Sequence, residues 1–209
     1  MTLAACGSSA KSRAASPTTA ASPNAGTASG TNKAVALEAA MRTLWDQHME
    51  WTYATVDDFF HNQAALQPTL TRLLQNQTDI GNAIAPFYGQ AAGAQLSSLL
   101  HTHIMDAVPV LKAAQANNSA ELSAANTAWY ANAKQIADFL SAANPTNWPT
   151  SATEPMMKTH IDQTITYSVD LLKGNYPQSV TDFDLAEAHM DQMADTLTQG
   201  IVAQHANAF

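Results

Sequence analysis

Apolar residues recur at intervals of three and four along most of the chain, beginning near Lys33. This is the period of an α-helix that turns one face to a core, and no sustained alternation typical of β-strands interrupts it. The pattern predicts helices at about 33–62, 67–85, 90–116, 119–142, 153–173 and 178–204. The short loops between them favour an all-α, up-and-down helical bundle, with a four-helix core and shorter helices packed against it.

The first 32 residues differ in composition from the rest of the chain. Between Gly7 and Asn32 there is no aromatic residue and no large aliphatic one. Such a stretch cannot bury enough apolar surface to offset the entropy that it would lose on ordering. We therefore expect residues 7–32 to form a disordered linker and residues 33–209 to form one helical-bundle domain.

Cys6 is the only cysteine, so an intrachain disulfide is excluded. The sequence Leu-Ala-Ala-Cys at 3–6 resembles the lipobox of bacterial lipoproteins, in which the cysteine carries a diacylglycerol. The basic and apolar segments of such a signal do not precede it, so we interpret residues 1–6 as a truncated lipoprotein signal. The alternative is a chance cysteine near a cytoplasmic N-terminus. The lipobox interpretation predicts a protein in the periplasm or on the cell surface, held to a membrane by lipid on Cys6.

The negative net charge of the chain limits the kinds of partner that we expect. Charged residues make up 12% of the chain and the net charge is −8. A polyanion would be repelled, so we do not expect nucleic-acid binding. No apolar run reaches the roughly 18 to 20 residues that cross a bilayer, so lipid on Cys6 is the expected membrane contact.

Four of the seven histidines stand where the helical pattern predicts an apolar residue. They are His48, His103, His160 and His189, and each lies on a different predicted helix. One buried histidine is usually satisfied by a backbone carbonyl, a hydroxyl or a water. Four of them favour a metal site in the bundle core, because bundles build such sites from facing helices and neutral imidazole is the commonest metal ligand. The pattern leaves open whether the four share one level or form two separate pairs.

Polar side chains near these histidines are candidates for orienting the imidazoles, since a ligating histidine usually donates its other N–H to such a group. Each carboxylate among them is also typical of a solvated surface charge. The candidates are Thr52, Asp79, Asp106, Thr164, Glu187 and Asp195.

The identity of the metal follows from the donor types. Imidazole suits zinc and copper, and thioethers select Cu(I). Methionines lie within four residues of each of these histidines, among them Met49, Met105, Met157, Met190 and Met193, which favours copper, although methionine also fills irregular gaps in cores. We predict a copper or zinc ion.

Several segments carry a resemblance to a known group of proteins. They are residues 44–52 (LWDQHMEWT), 76–84 (NQTDIGNAI), 99–104 (LLHTHI), Trp129 with 132–133 and 136–138, 144–145, and 189–190 with 194–195 and 200–201. Together they resemble a group of small secreted bacterial helical proteins and lipoproteins, whose members are sometimes labelled glycosyltransferases. The resemblance covers about residues 40–209, and it implies export and an all-helical domain.

Three functional hypotheses remain. The first is a metal-binding carrier, buffer or sensor at the cell envelope, and the second is a metal-dependent envelope enzyme. The third is a structural or interaction module whose histidines are ordinary core residues. The acidic pair in Asp182-Phe183-Asp184 is typical of the first turn of a helix, and no Gly-x-Ser-x-Gly sequence indicates a serine hydrolase. The histidine pattern makes the first hypothesis the main one.

Overall fold

The structure, a computed structural model, describes residues 25–209. These residues form α-helices with a final 3-10 turn, and no strand occurs among them. The elements are α1 (Ala25–His61), α2 (Gln63–Tyr88), α3 (Gln90–Gln115), α4 (Ser119–Ala143), α5 (Thr150–Leu172), α6 (Tyr176–Gln204) and the 3-10 turn Ala206–Ala208. The predicted all-α class is confirmed. No helix between residues 25 and 209 is long and apolar enough to cross a membrane.

Helix α1 starts at Ala25, eight residues before the boundary predicted at Lys33. Residues 25–32 are thus helical, although they belong to the predicted linker. The C-terminus explains part of this difference, because the side chain of Lys33 donates a hydrogen bond to the backbone oxygen of Ala208 at 3.1 Å and Gly30 packs against the backbone of Phe209. Such long-range contacts leave no local pattern in the sequence. The predicted lipobox and residues 7–24 of the predicted linker lie outside the described residues.

Consecutive helices pack side by side, and α6 packs against α1, so the six helices form a closed ring. Connections of one to six residues reverse the chain between neighbouring helices. Helices α1, α3 and α5 therefore run in one direction, and α2, α4 and α6 run in the other. Helix α5 also contacts α1 and α3, so the three helices that share a direction meet in the interior of the ring.

Two prolines lie inside α2 without ending it. Helix α2 begins five residues before Pro68 and continues two residues beyond Pro86. Both prolines are exposed, so water can satisfy the carbonyl oxygens that a proline leaves without a donor. Gly89 then makes the one-residue turn into α3 at φ 88°, a conformation that favours glycine.

Two glycines set the distance between α2 and α3. Gly81 and Gly93 face each other across these helices, and a Cβ placed on Gly93 would lie only 2.6 Å from the backbone oxygen of Gly81. A Cβ on Gly81 would collide with the side chain of Ser97 and with the backbone oxygen of Gly93. The backbones approach this closely because neither residue has a side chain.

The interior has two unlike halves along the axis of the ring. One half is closely packed around Trp45, Leu100 and Met157, and its cavity is only about 20 Å³. The other half contains a cavity of about 370 Å³. On α1, α3 and α5, the residues that line the larger cavity come later in the chain than those of the packed half.

Candidate functional site

Three of the four predicted histidines meet where the two halves of the interior join. His48 on α1, His103 on α3 and His160 on α5 are 1%, 2% and 3% exposed. The ring of His160 lies between the other two, with its centroid 5.6 Å from each of theirs. The three helices run in one direction and contact one another through α5, so one side chain from each reaches the same level. These residues are called the histidine cluster below.

His189 does not belong to the histidine cluster. It is half-buried on α6, and its Nε2 lies 3.0 Å from the backbone oxygen of Met156, to which it donates a hydrogen bond. No residue of α6 lines the large cavity. The prediction that His189 joins the other three in one metal site is therefore corrected, because its ring is already satisfied by the start of α5.

The tautomer of His103 is fixed by Asn132 of α4. The amide oxygen of Asn132 lies 2.8 Å from Nδ1 of His103, and because an amide oxygen only accepts, Nδ1 donates. Asn132 is held in turn by its own Nδ2, which donates to the backbone oxygen of Leu99 at 3.1 Å. Neutral His103 therefore carries its lone pair on Nε2. That nitrogen is buried and has no hydrogen-bond partner among residues 25–209.

The other two imidazoles have fewer hydrogen-bonding constraints. Gln77 of α2 lies with Nε2 3.1 Å from Nδ1 of His48, and it donates to this nitrogen. The proton of neutral His48 is therefore on Nε2. Nδ1 of His160 is buried and has no partner among the described residues. The histidine cluster thus contains two buried ring nitrogens, Nε2 of His103 and Nδ1 of His160, that have no hydrogen-bond partner among the described residues.

Burial keeps all three imidazoles neutral. Loss of solvent lowers the pKa of His48 from 6.5 to about 3 and the pKa of His103 to about 4. The same cause holds the pKa of His160 well below its ordinary value. For His48 and His160 the neighbouring imidazoles lower the pKa further, since two charged rings would repel each other. The neutral ring is the form that coordinates metals and accepts hydrogen bonds.

The two predicted threonines do not orient the imidazoles. Thr52 and Thr164 instead donate to the backbone oxygens of His48 and His160, one turn earlier on the same helices, at 2.6 and 2.9 Å. Both still lie in the wall of the large cavity. The groups that do hold imidazoles are the amides of Asn132 and Gln77. Each stands on an apolar stripe of its helix, a signal that a search for carboxylates and hydroxyls misses.

None of the four predicted carboxylates is hydrogen-bonded to the imidazole of His48, His103, His160 or His189 in the part of the chain that the structure describes. Asp195 accepts two hydrogen bonds from Arg42, at 2.7 and 2.5 Å. Asp79 accepts from the side chain of Gln75 at 3.0 Å. Asp106 and Glu187 are half-buried, and burial raises the pKa of each. The structure therefore gives no sign that these four orient the histidines, and for Asp106 and Glu187 the role stays a prediction.

The histidine cluster does not yet have the geometry of a metal site. Among residues 25–209, no group of three or more His, Cys, Asp or Glu side chains is arranged to hold an ion. A shared zinc would require each ligating nitrogen to lie at about 2.0–2.1 Å from it. Metal binding at this position therefore needs the imidazole rings to rotate from the arrangement described above.

The large cavity extends from the histidine cluster towards the turns that join α1 to α2 and α3 to α4. Helices α1 to α5 form its wall, which is mostly apolar. Along α1 the lining residues run from His48 to Phe60, which spans about 18 Å of helix at 1.5 Å per residue. The far end of the wall includes the exposed side chains of Gln63 and Lys112. The cavity therefore reaches the surface at that end.

Several buried polar atoms of the cavity wall lack a hydrogen-bond partner among the described residues. They are Oγ1 of Thr55, Nε2 of His103, Oδ1 of Asn126, Nε1 of Trp129 and Nδ1 of His160. Buried polar groups in folded proteins are normally paired, because each unpaired one costs about 1–3 kcal/mol. The cavity wall therefore contains donors and acceptors that are free to bond to a group placed inside the cavity.

Comparisons with known proteins do not assign this site. No protein-family model matches the chain, and neither a curated protein nor a solved structure gives a significant match. The functional argument therefore rests on the geometry of the histidine cluster and the cavity.

Proposed function

We propose that this protein binds a metal ion, copper or zinc, at His48, His103 and His160, and that it acts as a carrier, buffer or sensor in the cell envelope. The observation that carries this proposal is the state of His103. Its Nδ1 is bonded to Asn132, and its Nε2 lone pair is buried, unpartnered and adjacent to another neutral imidazole. This is the arrangement in which a ligating histidine is held by a neighbouring oxygen acceptor.

The surroundings of the cluster support the same proposal. A ring that rotates to meet an ion needs free volume, and all three imidazoles line the 370 Å³ cavity. Three nitrogen ligands would leave a fourth position on the cavity side, where water or a donor from the cavity completes a tetrahedral site. Neutral imidazoles select zinc and copper over magnesium and calcium, which prefer oxygen ligands.

The test is a titration of the metal-free chain with Zn²⁺ and, under reducing conditions, with Cu⁺ against a chromophoric chelator. We expect one ion per chain. His103→Ala is expected to lower the affinity more than 100-fold, because losing a ligand exceeds the 10- to 100-fold effect typical of losing a group that orients one. Asn132→Ala should fall within that smaller range.

The matched control is His189→Gln, which preserves an N–H donor for the backbone oxygen of Met156. This variant should bind with unchanged stoichiometry and affinity. Circular dichroism checks that each variant is folded. Equal affinities for the wild type and His103→Ala, or no binding in the micromolar range, would rule out the site.

The proposed location depends on Cys6. Lipidation of this residue would hold the helical domain on the extracytoplasmic side of a membrane, and the supporting observation is the sequence Leu-Ala-Ala-Cys. The chain is expressed in bacteria behind complete basic and apolar signal segments, and its N-terminal peptide is analysed by mass spectrometry. We expect a diacylglycerol on Cys6 and recovery in the membrane fraction, whereas Cys6→Ser should lose both. An unmodified Cys6 in the mature protein would contradict this location.

A metal-dependent enzyme is the second candidate function. It is favoured by one observation, that the cavity beside the histidine cluster reaches the surface and gives a substrate a route to the metal. A structural module is distinguished from both, because its stability would not respond to added zinc or to a chelator.

A further inference from the structure

The cavity has the size and lining of a small-molecule site in its own right. Its volume of about 370 Å³ lies within the range of about 300–1,000 Å³ that is typical of ligand pockets. The lining residues combine many apolar side chains with a few polar ones, as ligand pockets do.

The shape of the cavity favours a chain-like ligand. Its wall follows about 18 Å of α1, from the histidine cluster to the exposed end, according to the rise of 1.5 Å per residue. A volume of about 370 Å³ spread along that length describes an elongated cavity, called the tube below, rather than a round one. An extended molecule fits this tube better than a broad ring system does.

The buried atoms at the inner end of the tube match one polar group on the ligand. Nε2 of His103 can only accept a hydrogen bond, and Nε1 of Trp129 can only donate one. The two rings lie side by side, with centroids 5.4 Å apart, and both atoms are buried and unpartnered. A hydroxyl group both donates and accepts, so a single hydroxyl satisfies the two atoms together. A carboxylate or an ether lacks the proton that His103 requires.

The charge of the wall excludes an ionised head group at this end. Lys112 is the one charged side chain among the lining residues, and it is exposed at the far end of the cavity. The three imidazoles at this end are almost completely buried, and apolar side chains surround them. A charged group placed against them would be buried without a counter-ion, which is strongly unfavourable.

We infer that the cavity binds an uncharged, chain-like apolar molecule that ends in a hydroxyl, with the hydroxyl between His103 and Trp129 and the chain along α1. This inference does not rest on the proposed metal, and the hydroxyl and a metal ion would compete for Nε2 of His103.

The experiment uses the full chain after treatment with a chelator, so that no metal contributes. The probes are 1-decanol, decyl methyl ether and decanoate, and binding is followed by tryptophan fluorescence and calorimetry at pH 7. We expect one 1-decanol per chain. The ether, which cannot donate, and decanoate, which is charged, should each bind about fivefold to tenfold more weakly or worse, as expected for one unmet buried hydrogen bond.

Two variants separate the hydroxyl contact from the cavity itself. His103→Leu places an apolar side chain at this position and removes Nε2, so the preference for 1-decanol over the ether should disappear. Ala107→Phe fills the tube and should lower the affinity for all probes more than tenfold. Ala128→Phe, at an exposed position of α4, is the matched control and should change nothing.

The results with these probes test the proposed ligand class separately from the proposed metal site. Failure of 1-decanol to bind, or a preference for it that survives His103→Leu, would overturn the inference whatever the zinc titration shows. If Ala107→Phe does not fold, the comparison of alcohol with ether in the wild type and in His103→Leu still gives the answer. A chain that binds 1-decanol but no zinc would retain this inference and lose the proposed metal site.

Discussion

Lowering the pH from 7 to 5 is expected to reduce the free energy of unfolding by about 2 kcal/mol for each of His48 and His103. In the unfolded chain these imidazoles take up a proton near pH 6.5, whereas burial lowers the pKa to about 3 for His48 and about 4 for His103 in the folded chain. The unfolded state therefore binds more protons throughout this range. The stability is fully present above pH 6.5 and is lost progressively as the pH falls towards the folded pKa values.

Other groups modify this expectation: His160 acts in the same direction, and three carboxyls whose pKa values burial raises, Asp46, Asp106 and Glu187, act in the opposite direction. His160 adds a loss of the same sign, because its pKa is also far below the ordinary value. Asp46 acts in the opposite direction, since burial and the nearby Asp191 raise its pKa to about 6 and the folded state takes up that proton first. Asp46 is partly solvated, so its opposing contribution is the smaller one. The net loss is large beside a typical total stability of about 5–15 kcal/mol.

The measurement is urea unfolding at pH 7, 6 and 5, with the slope of the unfolding free energy against pH as the result. His103→Asn retains a side-chain donor for Asn132 and should lower the slope by about 1.4 kcal/mol per pH unit between pH 6 and 5. His189→Gln lies outside the histidine cluster and serves as the comparison. A wild-type slope near zero would mean that the three imidazoles are not buried in neutral form.

Replacing Gly81 with alanine is expected to destabilise the fold by about 2–3 kcal/mol. Alanine is the better helix former by about 1 kcal/mol, so helix propensity alone predicts the opposite sign. The added Cβ, however, meets Ser97 and the backbone oxygen of Gly93, and backbone atoms cannot move aside as a flexible side chain does. Helices α2 and α3 would have to separate, which loosens the packing around Ile80 and Leu96.

Thermal and urea unfolding at pH 7 measure this effect. Asn82→Ala is the matched control, because Asn82 is the next residue of α2 and is exposed. Its effect should remain within about 0.5 kcal/mol. The double variant Gly81→Ala with Ser97→Ala should recover only part of the loss, since the contact with the backbone of Gly93 remains. A stabilised Gly81→Ala protein would show that the two helices do not approach as closely as described.

The helices could be predicted from the sequence because their apolar period is local. From residue 63 onward, the observed ends lie within four residues of the predicted ones. The start of α1 could not be predicted, because it depends on contacts with the C-terminus, such as that between Lys33 and Ala208. A pattern of neighbouring residues contains no information on contacts that distant in the sequence.

The candidate site was predictable in part for a similar reason. Periodicity shows which face of a helix carries a residue, and this identified His48, His103 and His160. It does not show how deep that face lies, so His189 had the same apparent position although α6 contributes nothing to the cavity. The cavity itself could not be predicted, because its volume depends on the combined sizes of side chains from five helices.

The boundary between the closely packed half and the half with the large cavity affects the entropy that is lost when a ligand binds there. The closely packed half fixes the main chains of His48, His103 and His160 from one side. The large cavity on the other side leaves space in which their rings can rotate. A ligand that binds there would meet main chains that are already held in place, and only the torsions of the rings would remain to be immobilised. Preorganisation of this kind lowers the entropic penalty of association and leaves more of the contact energy available as affinity.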